Sequence, residues 1–176
     1  MKFGEIIGVT DQGVIAFSNE NSDHQANYYK EIYTGLKYEC VEFARRWLII
    51  VYGITFESVD RAKDIYHLNY FLSVLNPLQK IPIKKCINGS NNISLGDLVI
   101  WTNKGEFLEH GHVAVVVKIK DNQVYIAEQN TTNNNWNGKK YSRKLLFNNN
   151  ILVDKEYPDT EIIGWINYFN INLYVR

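Results

Sequence analysis

The spacing of hydrophobic residues in the first half of the chain includes one segment with the period of an α-helix. Over residues 41–52 the apolar side chains fall on one broad face, and Gly53 stands where a C-terminal helix cap belongs. A weaker helical pattern covers residues 60–75, and Pro77 and Pro82 argue against helix beyond it. The first half is therefore predicted to contain two helices.

Short apolar runs with strand character make up most of the remaining pattern. Two runs near the N-terminus, at 6–9 and 14–17, are separated by a polar turn and predict a hairpin. Residues 19–38 are polar and tyrosine-rich and are predicted to form a loop. After them, the pattern predicts four strands, at residues 98–102, 112–120, 123–129 and 161–168. Helices followed by strands indicate an α+β fold, with N-terminal helices packed on a twisted antiparallel β-sheet.

Composition and charge predict one soluble domain without a strong electrostatic field. The chain has 176 residues, enough for a single domain over 1–176, with 19 Lys plus Arg against 19 Asp plus Glu. A net charge of zero gives no basic field for nucleic acid or anionic membranes, so neither is predicted as a partner. The N-terminus has no signal-peptide pattern and no apolar run is long enough to span a bilayer, so a cytoplasmic location is predicted.

The chain has two cysteines, Cys40 and Cys86, which are predicted to be free thiols because one disulfide would be an unusual framework for a domain of this size. Cys40 stands at the first turn of the predicted helix 41–52, where unpaired backbone N–H groups and the helix dipole favour a thiolate. Cys40 is therefore the candidate nucleophile, against the alternative of a buried structural cysteine. Cys86 has no helix start beside it and is interpreted as structural or incidental.

A cysteine nucleophile needs a histidine base, and the chain has four histidines. His24 lies in the predicted loop and His67 in the weaker helical pattern, and neither has a suggested partner. His110 and His112 stand at the mouth of the strand predicted over 112–120. His112 is the stronger candidate base because His110 lies one step outside that strand.

The turn after this strand decides which carboxylate shares a face with His112. A three-residue turn at 120–122 is predicted, with Asn122 in the left-handed conformation that such hairpins commonly require. This turn makes His112 and Glu128 diagonal neighbours on one face. A two-residue turn, Asp121-Asn122, would put Glu128 on the other face. Glu128 is the predicted orienting acid, against the alternative of a surface carboxylate.

Three blocks of sequence occur in an order that resembles a known family. They are YECVEFARRW at 38–47, GHVAVV at 111–116 and IAEQN at 126–130. These blocks resemble the amidase domain of the glutathionylspermidine synthetase/amidase family, which belongs to the CHAP group of papain-like cysteine amidases and peptidases. Shorter matches near the start, the middle and the end extend the resemblance through nearly the whole chain.

The resemblance implies a papain-like CHAP fold and hydrolysis of the amide that joins the glycine of glutathione to spermidine, without metal or cofactor. It implies Cys40 as nucleophile, His112 as base and Glu128 as orienting carboxylate. Asn130 and Arg45 match positions that look like site residues in the family, and Arg45 would suit an anionic carboxylate of the glutathione part. The implied partner is a small-molecule glutathione–polyamine conjugate, and the oligomeric state is left open.

One position departs from the family pattern. The family has glutamine before the nucleophile, where an amide could donate to the tetrahedral oxyanion, and this chain has Glu39. An ionised carboxylate cannot donate and would repel both thiolate and oxyanion. Glu39 therefore joins the predicted substrate-contacting residues and suggests one alternative, a catalytically weak module that binds polyamine or glutathione conjugates. The other alternative is a peptidoglycan-cleaving enzyme of the same group. No ATP-using synthetase half is seen, so hydrolysis alone is expected.

Overall fold

The computed structural model describes residues 1–22, 24–90 and 93–168. Within those residues the chain forms one α-helix, α1 (Cys40–Tyr52), two short 3₁₀-helices, Ala62–His67 and Gly105–Phe107, and thirteen strands. The strands are β1 (Ile6–Val9), β2 (Ile15–Phe17), β3 (Ala26–Tyr29), β4 (Ile32–Leu36), β5 (Ile54–Thr55), β6 (Tyr70–Ser73), β7 (Lys80–Ile87), β8 (Leu98–Trp101), β9 (His112–Lys120), β10 (Gln123–Ala127), β11 (Arg143–Asn148), β12 (Ile151–Val153) and β13 (Ile162–Tyr168). No helix in this part of the chain has the length and apolar content needed to cross a membrane.

Nine strands form the main sheet, in the order β12-β11-β10-β9-β8-β13-β7-β6-β5, and every neighbouring pair is antiparallel. The pairs β1–β2 and β3–β4 form two separate hairpins. Within the main sheet, β9 is buried on both faces over residues 112–117. Val113 and Val115 belong to the core cluster that includes α1, whereas Ala114 and Val116 belong to a cluster on the opposite face. Packing on both sides fixes the backbone of β9 and the residue at its start.

The helix α1 forms where the sequence pattern predicts it, with its first residue at Cys40. Glu39 before it is extended (φ −70°, ψ 162°), and Gly53 after it adopts the left-handed conformation (φ 64°) that commonly ends a helix. Phe43 and Trp47 are fully buried in the cluster that α1 shares with β9. This buried face, with the contact between α1 and β9, anchors the helix on the sheet.

The prediction of a helix over residues 60–75 is wrong. The structure has the 3₁₀-helix Ala62–His67 followed by β6, in which half-buried and buried residues alternate as they do in a strand. Pairing with β5 and β7 supplies hydrogen bonds to the backbone of β6, and this tertiary pairing overrides a weak helical pattern. The α+β class therefore holds with one α-helix on a sheet that makes up most of the fold, and the plural helices of the prediction are corrected.

Residues 19–38, predicted as a loop, contain the hairpin β3–β4. Lys30 and Glu31 form its turn with positive φ values of 47° and 67°. Tyr28 lies opposite Tyr33, and their ring centroids are 5.7 Å apart. Tyrosine favours strands and stabilises such cross-strand pairs, a preference that the polar composition of the segment concealed.

The other predicted strands are confirmed. The N-terminal hairpin is β1–β2, and the four later strands are β8, β9, β10 and β13, of which β9 has its predicted limits. Strands β5, β7, β11 and β12 were not predicted from the sequence. Of these, β11 bears directly on the site described below.

The turn between β9 and β10 has two residues, so the predicted three-residue turn is wrong. Lys120 pairs with Gln123 across the hairpin. Asp121 and Asn122 both have positive φ, 52° and 58°, as in a type I′ turn. Asn122 adopts the predicted left-handed conformation, but it shares the turn with a second left-handed residue.

A β-bulge in β9 restores the register that the longer turn would have produced. Val117 is the extra residue, and beyond it Ala127 pairs with Val115. Because a one-residue shift exchanges the two faces of a strand, the bulge returns His112 and Glu128 to the same face. The predicted proximity of these two residues is therefore correct, although the predicted turn is not.

Candidate active site

Cys40 is the first residue of α1 and lines a cleft of about 890 Å³. The residue is buried, with 8% of its surface exposed. Backbone N–H groups in the first turn of a helix have no intrahelical partners and carry partial positive charge, which favours a thiolate. Cys40 thus combines restricted exposure with a position suited to a nucleophilic sulfur.

His112 is the first residue of β9, and its ring is held between aromatic side chains. It stacks on Phe107 with ring centroids 4.4 Å apart and meets Trp101 edge to face at 5.4 Å. Gly111, just before it, has φ 69°, and a Cβ atom there would lie 2.6 Å from the carbonyl oxygen of Trp101. Only glycine allows this close approach at the strand start, and the approach places the imidazole in the cleft.

His112 contacts Cys40 on one side and Glu128 on the other. Its Nε2 lies 2.8 Å from a carboxylate oxygen of Glu128, which leaves Nδ1 for the hydrogen bond with the thiol. Burial alone would lower the pKa of His112, but the charge and hydrogen bond of Cys40, followed by those of Glu128, outweigh burial and raise this pKa to about 9. A protonated imidazole beside the sulfur is therefore favoured at neutral pH.

Glu128 lies just after β10 and is 1% exposed. Besides contacting His112, it accepts hydrogen bonds from the Ser142 hydroxyl at 3.0 Å and from Nε and Nη2 of Arg143 at 2.5 and 3.2 Å. Burial by itself raises the pKa of a carboxyl, but Arg143 and then His112 hold the pKa of Glu128 well below its usual range. Because an ionised carboxylate can only accept, Glu128 keeps a proton on Nε2 of the imidazole.

Arg143, the first residue of β11, continues the chain of contacts to Asp154. Its Nη1 donates to both carboxylate oxygens of Asp154, at 2.9 and 2.8 Å. Asp154 in turn accepts the backbone N–H groups of Glu156 and Tyr157 at 3.1 Å. The Tyr157 ring lies 4.6 Å from the Arg143 guanidinium. Arg143 and Asp154 are both buried, so the contacts from Cys40 to Asp154 form one continuous series out of bulk solvent.

A second buried network joins α1 to the end of β10. Arg46 donates to Glu42 at 2.7 Å, to Gln129 at 2.9 Å and to the carbonyl oxygen of Ile15 at 2.7 Å. The amide of Gln129 also donates to Glu42, at 3.0 Å. This network ties the helix that begins at Cys40 to the strand that leads to Glu128.

Glu39 and Asn130, two of the predicted substrate-contacting residues, line the cleft and touch each other. The side-chain amide of Asn130 donates to one carboxylate oxygen of Glu39. His24 Nδ1 lies 3.9 Å from the other oxygen. The Glu39 side chain is 24% exposed, so it is accessible from the cleft. Contact of either residue with a substrate stays a prediction.

Arg45, the third predicted substrate-contacting residue, lines the cleft but is only 2% exposed. It donates to the carbonyl oxygens of Thr34 at 2.7 Å and Glu57 at 3.1 Å, and its guanidinium lies 4.5 Å from the Phe56 ring. Burial lowers the pKa of Arg45 to about 10. Within the described residues its Nε has no hydrogen-bond partner, and a role in binding a carboxylate stays a prediction.

The other sequence candidates do not join the group around Cys40. His110 lies at the cleft but is exposed and pairs with Glu109 at 3.5 Å. His67 is exposed at the end of its 3₁₀-helix. Cys86 belongs to the core cluster on the sheet face away from α1, where burial raises the pKa of its thiol. Both cysteines are free.

Several residues around His112 and Glu128 were not identified from the sequence, among them Arg143, Asp154 and Phe107. Arg143 begins an unpredicted strand, and its contact with Glu128 depends on the pairing of β11 with β10. Asp154 follows β12, the next strand in the sheet. Phe107 could have been identified from the sequence, because it is an aromatic residue shortly before the candidate base His112.

The group supports nucleophilic acyl transfer. A thiolate can attack a carbonyl carbon, the imidazolium can protonate the departing nitrogen, and the carboxylate holds the ring in one tautomer. Within residues 1–22, 24–90 and 93–168, no three or more His, Cys, Asp or Glu side chains are grouped so as to hold a metal ion.

Comparison with known proteins agrees with this geometry. The CHAP domain family model matches residues 31–130, a range that contains Cys40, His112 and Glu128. The chain is 35% identical, over 93% of its length, to the bifunctional glutathionylspermidine synthetase/amidase of Escherichia coli (strain K12), of which it covers 29%. It is 30% identical, over 94% of its length, to trypanothione synthetase of Crithidia fasciculata, of which it covers 26%. The chain thus spans less than a third of these relatives.

Proposed function

The chain belongs to the CHAP domain family and is an amide-bond hydrolase of the cysteine-peptidase type, and from this premise we propose that it cleaves glutathionylspermidine into glutathione and spermidine. The observation that carries the proposal is the contact series Cys40–His112–Glu128 within one cleft. Support for the substrate comes from the similarity to an enzyme named for this conjugate.

The proposed reaction takes place at Cys40 and His112, while Glu128 holds the imidazole in position. His112 holds the proton of Cys40, and the thiolate attacks the carbonyl carbon of the scissile amide. The tetrahedral intermediate collapses when the imidazolium gives its proton to the departing amine, which leaves as spermidine. Neutral His112 then takes a proton from water, the hydroxide attacks the thioester, and glutathione leaves as Cys40 is regenerated.

The charge of the cleft supports a cationic substrate. Among the residues that line it, four carry carboxylates: Glu39, Asp60, Glu106 and Glu109. Against them stand two guanidiniums, the exposed one of Arg61 and that of Arg45, which is buried and bonded to backbone carbonyls. The amino groups of spermidine are protonated at neutral pH and would be attracted by such a surface. This charge pattern favours a polyamine conjugate over a neutral amide.

The proposal is tested by product analysis on two substrates. The pure protein is incubated separately with glutathionylspermidine and with muropeptides, and newly released amine is measured, with Cys40→Ala as the blank. We expect release from glutathionylspermidine only. Release from muropeptides alone would replace the proposal by a peptidoglycan-cleaving function. Binding of glutathionylspermidine without release from either substrate would favour the binding module that Glu39 suggests.

Glu39→Gln is expected to raise kcat on glutathionylspermidine by about tenfold or more. The carboxylate at the start of α1 repels a developing oxyanion, whereas an amide can donate to it, and a single oxyanion donor contributes about 10²–10³-fold in kcat. Steady-state kinetics give the result, with Glu106→Gln, a carboxylate at the same cleft, as the matched control. An unchanged or lower kcat in Glu39→Gln would mean that the Glu39 carboxylate acts on substrate binding and not on the oxyanion.

A further inference from the structure

The Glu128 carboxylate has two partners of different kinds that can carry positive charge. One is the imidazole of His112, whose charge changes during the reaction, and the other is the permanently charged guanidinium of Arg143. Arg143 in turn shares its charge with Asp154 through two hydrogen bonds. The four side chains are all buried, so their charges act on one another with little screening from water.

We propose that the catalytic series extends beyond Glu128 to Arg143 and Asp154, which act as positioning residues. The two residues balance the charge of Glu128, and together they set how strongly Glu128 holds the imidazolium of His112. This inference rests on the proposed roles of Cys40, His112 and Glu128.

The contacts of Arg143 and Asp154 give the two residues different roles. Arg143 uses Nε and Nη2 on Glu128 and Nη1 on Asp154, so its planar guanidinium fixes the direction of the Glu128 carboxylate. Asp154 is held by the backbone N–H groups of residues 156 and 157 and thereby fixes Arg143. Arg143 is also held between the rings of Tyr157 at 4.6 Å and Trp101 at 5.8 Å.

Because Arg143 and Asp154 carry opposite charges, removing one or the other is expected to shift the pKa of His112 in opposite directions. Removing the positive charge of Arg143 removes a repulsion from the imidazolium, so the pKa of His112 should rise. Removing the negative charge of Asp154 removes an attraction and leaves Arg143 uncompensated, so the pKa of His112 should fall. The buried thiol of Cys40 also faces the imidazole and raises the pKa of His112, and neither substitution changes it. The remaining titratable groups on the surrounding elements are half-buried or exposed and are likewise unchanged: Glu39, Glu106, Glu109, His110, Glu156 and Tyr157.

The test is an NMR titration of ¹³C-labelled histidine in the whole protein, with the His112 signal identified by its loss in His112→Gln. The wild-type ring is expected to titrate at about 9. Asp154→Asn should lower this value by about one pH unit and Arg143→Met should raise it by a similar amount, since one neighbouring charge typically gives a shift of this order. Arg143→Lys keeps the charge and should leave the titration close to wild type.

A purely structural role for the pair predicts a different result. Looser packing admits water in both variants, which would move the titration of His112 toward its ordinary value in both. Shifts in the same direction, or no shift in Asp154→Asn, overturn the proposal. If Arg143→Met does not fold, the contrast between Asp154→Asn and Arg143→Lys decides the question alone. No substrate is needed, so the outcome is independent of whether glutathionylspermidine is cleaved.

Discussion

Cys40→Ala is expected to reduce amide hydrolysis by at least about 10⁴-fold and to leave the fold unchanged, because removal of the nucleophile from a catalytic triad leaves only transition-state binding by the rest of the site. The sulfur is the atom that would form the thioester, and alanine has no group to replace it. Released spermidine is measured at enzyme concentrations high enough to detect this residual rate. Circular dichroism and thermal unfolding report the fold.

Cys86→Ala is the matched control for this prediction. Both thiols are free and buried, but Cys86 lies on the sheet face away from α1. Its replacement leaves a cavity in the core, which lowers stability while the active site keeps its geometry. Hydrolysis that survives in Cys40→Ala, or is lost in Cys86→Ala with the fold intact, would contradict the assignment of the nucleophile.

Local patterns in the sequence were sufficient to place the proposed nucleophile and the proposed base at the starts of their elements. The helical period over 41–52 placed Cys40 at a helix start, and the apolar run after Gly111 placed His112 at the beginning of β9. Both features depend on residues near one another in the chain, where hydrophobic spacing and capping residues carry direct information.

The pairing of His112 with Glu128 was predicted for a reason that the structure corrects. The turn of β9–β10 is one residue shorter than expected, and the bulge at Val117 cancels the error. A buried residue within a run of valines has no side-chain signal for such a bulge. The chemical requirement for an acid beside the histidine was therefore a better guide to the register than the turn residues.

The partners of Glu128 could not be predicted because they depend on the order of strands in the sheet. Arg143 reaches Glu128 only because β11 lies beside β10, and Asp154 reaches Arg143 only because β12 lies beside β11. A charged residue at the start of a strand is most often exposed, and nothing in the local sequence marks this one as buried. Long-range strand pairing thus determines the part of the site that periodicity does not describe.

Glu128→Gln is expected to lower kcat by about 10⁴-fold, the loss that a wrong histidine tautomer causes in a serine-protease triad. The glutamine amide can donate to Nε2 of His112, which moves the ring proton to Nδ1, where the base must accept the proton of Cys40. The change also leaves Arg143 without one of its buried anionic partners, so the free energy of unfolding should fall by about 3 kcal/mol. Kinetics on glutathionylspermidine and urea unfolding measure the two effects.

Asp97→Asn is the control for Glu128→Gln, because it removes the carboxylate of a different buried residue. Asp97 is 2% exposed and accepts hydrogen bonds from the Ser94 N–H at 2.8 Å and the Asn167 amide at 3.1 Å. Burial raises its pKa to about 7, so a neutral amide replaces a group that is already half protonated near neutral pH. Asp97→Asn should therefore keep kcat and cost little stability. Orientation of the imidazole requires a carboxylate in contact with Nε2 of His112, which is the role proposed for Glu128. Equal loss of kcat in Glu128→Gln and Asp97→Asn would therefore show that Glu128 supports the fold without orienting His112.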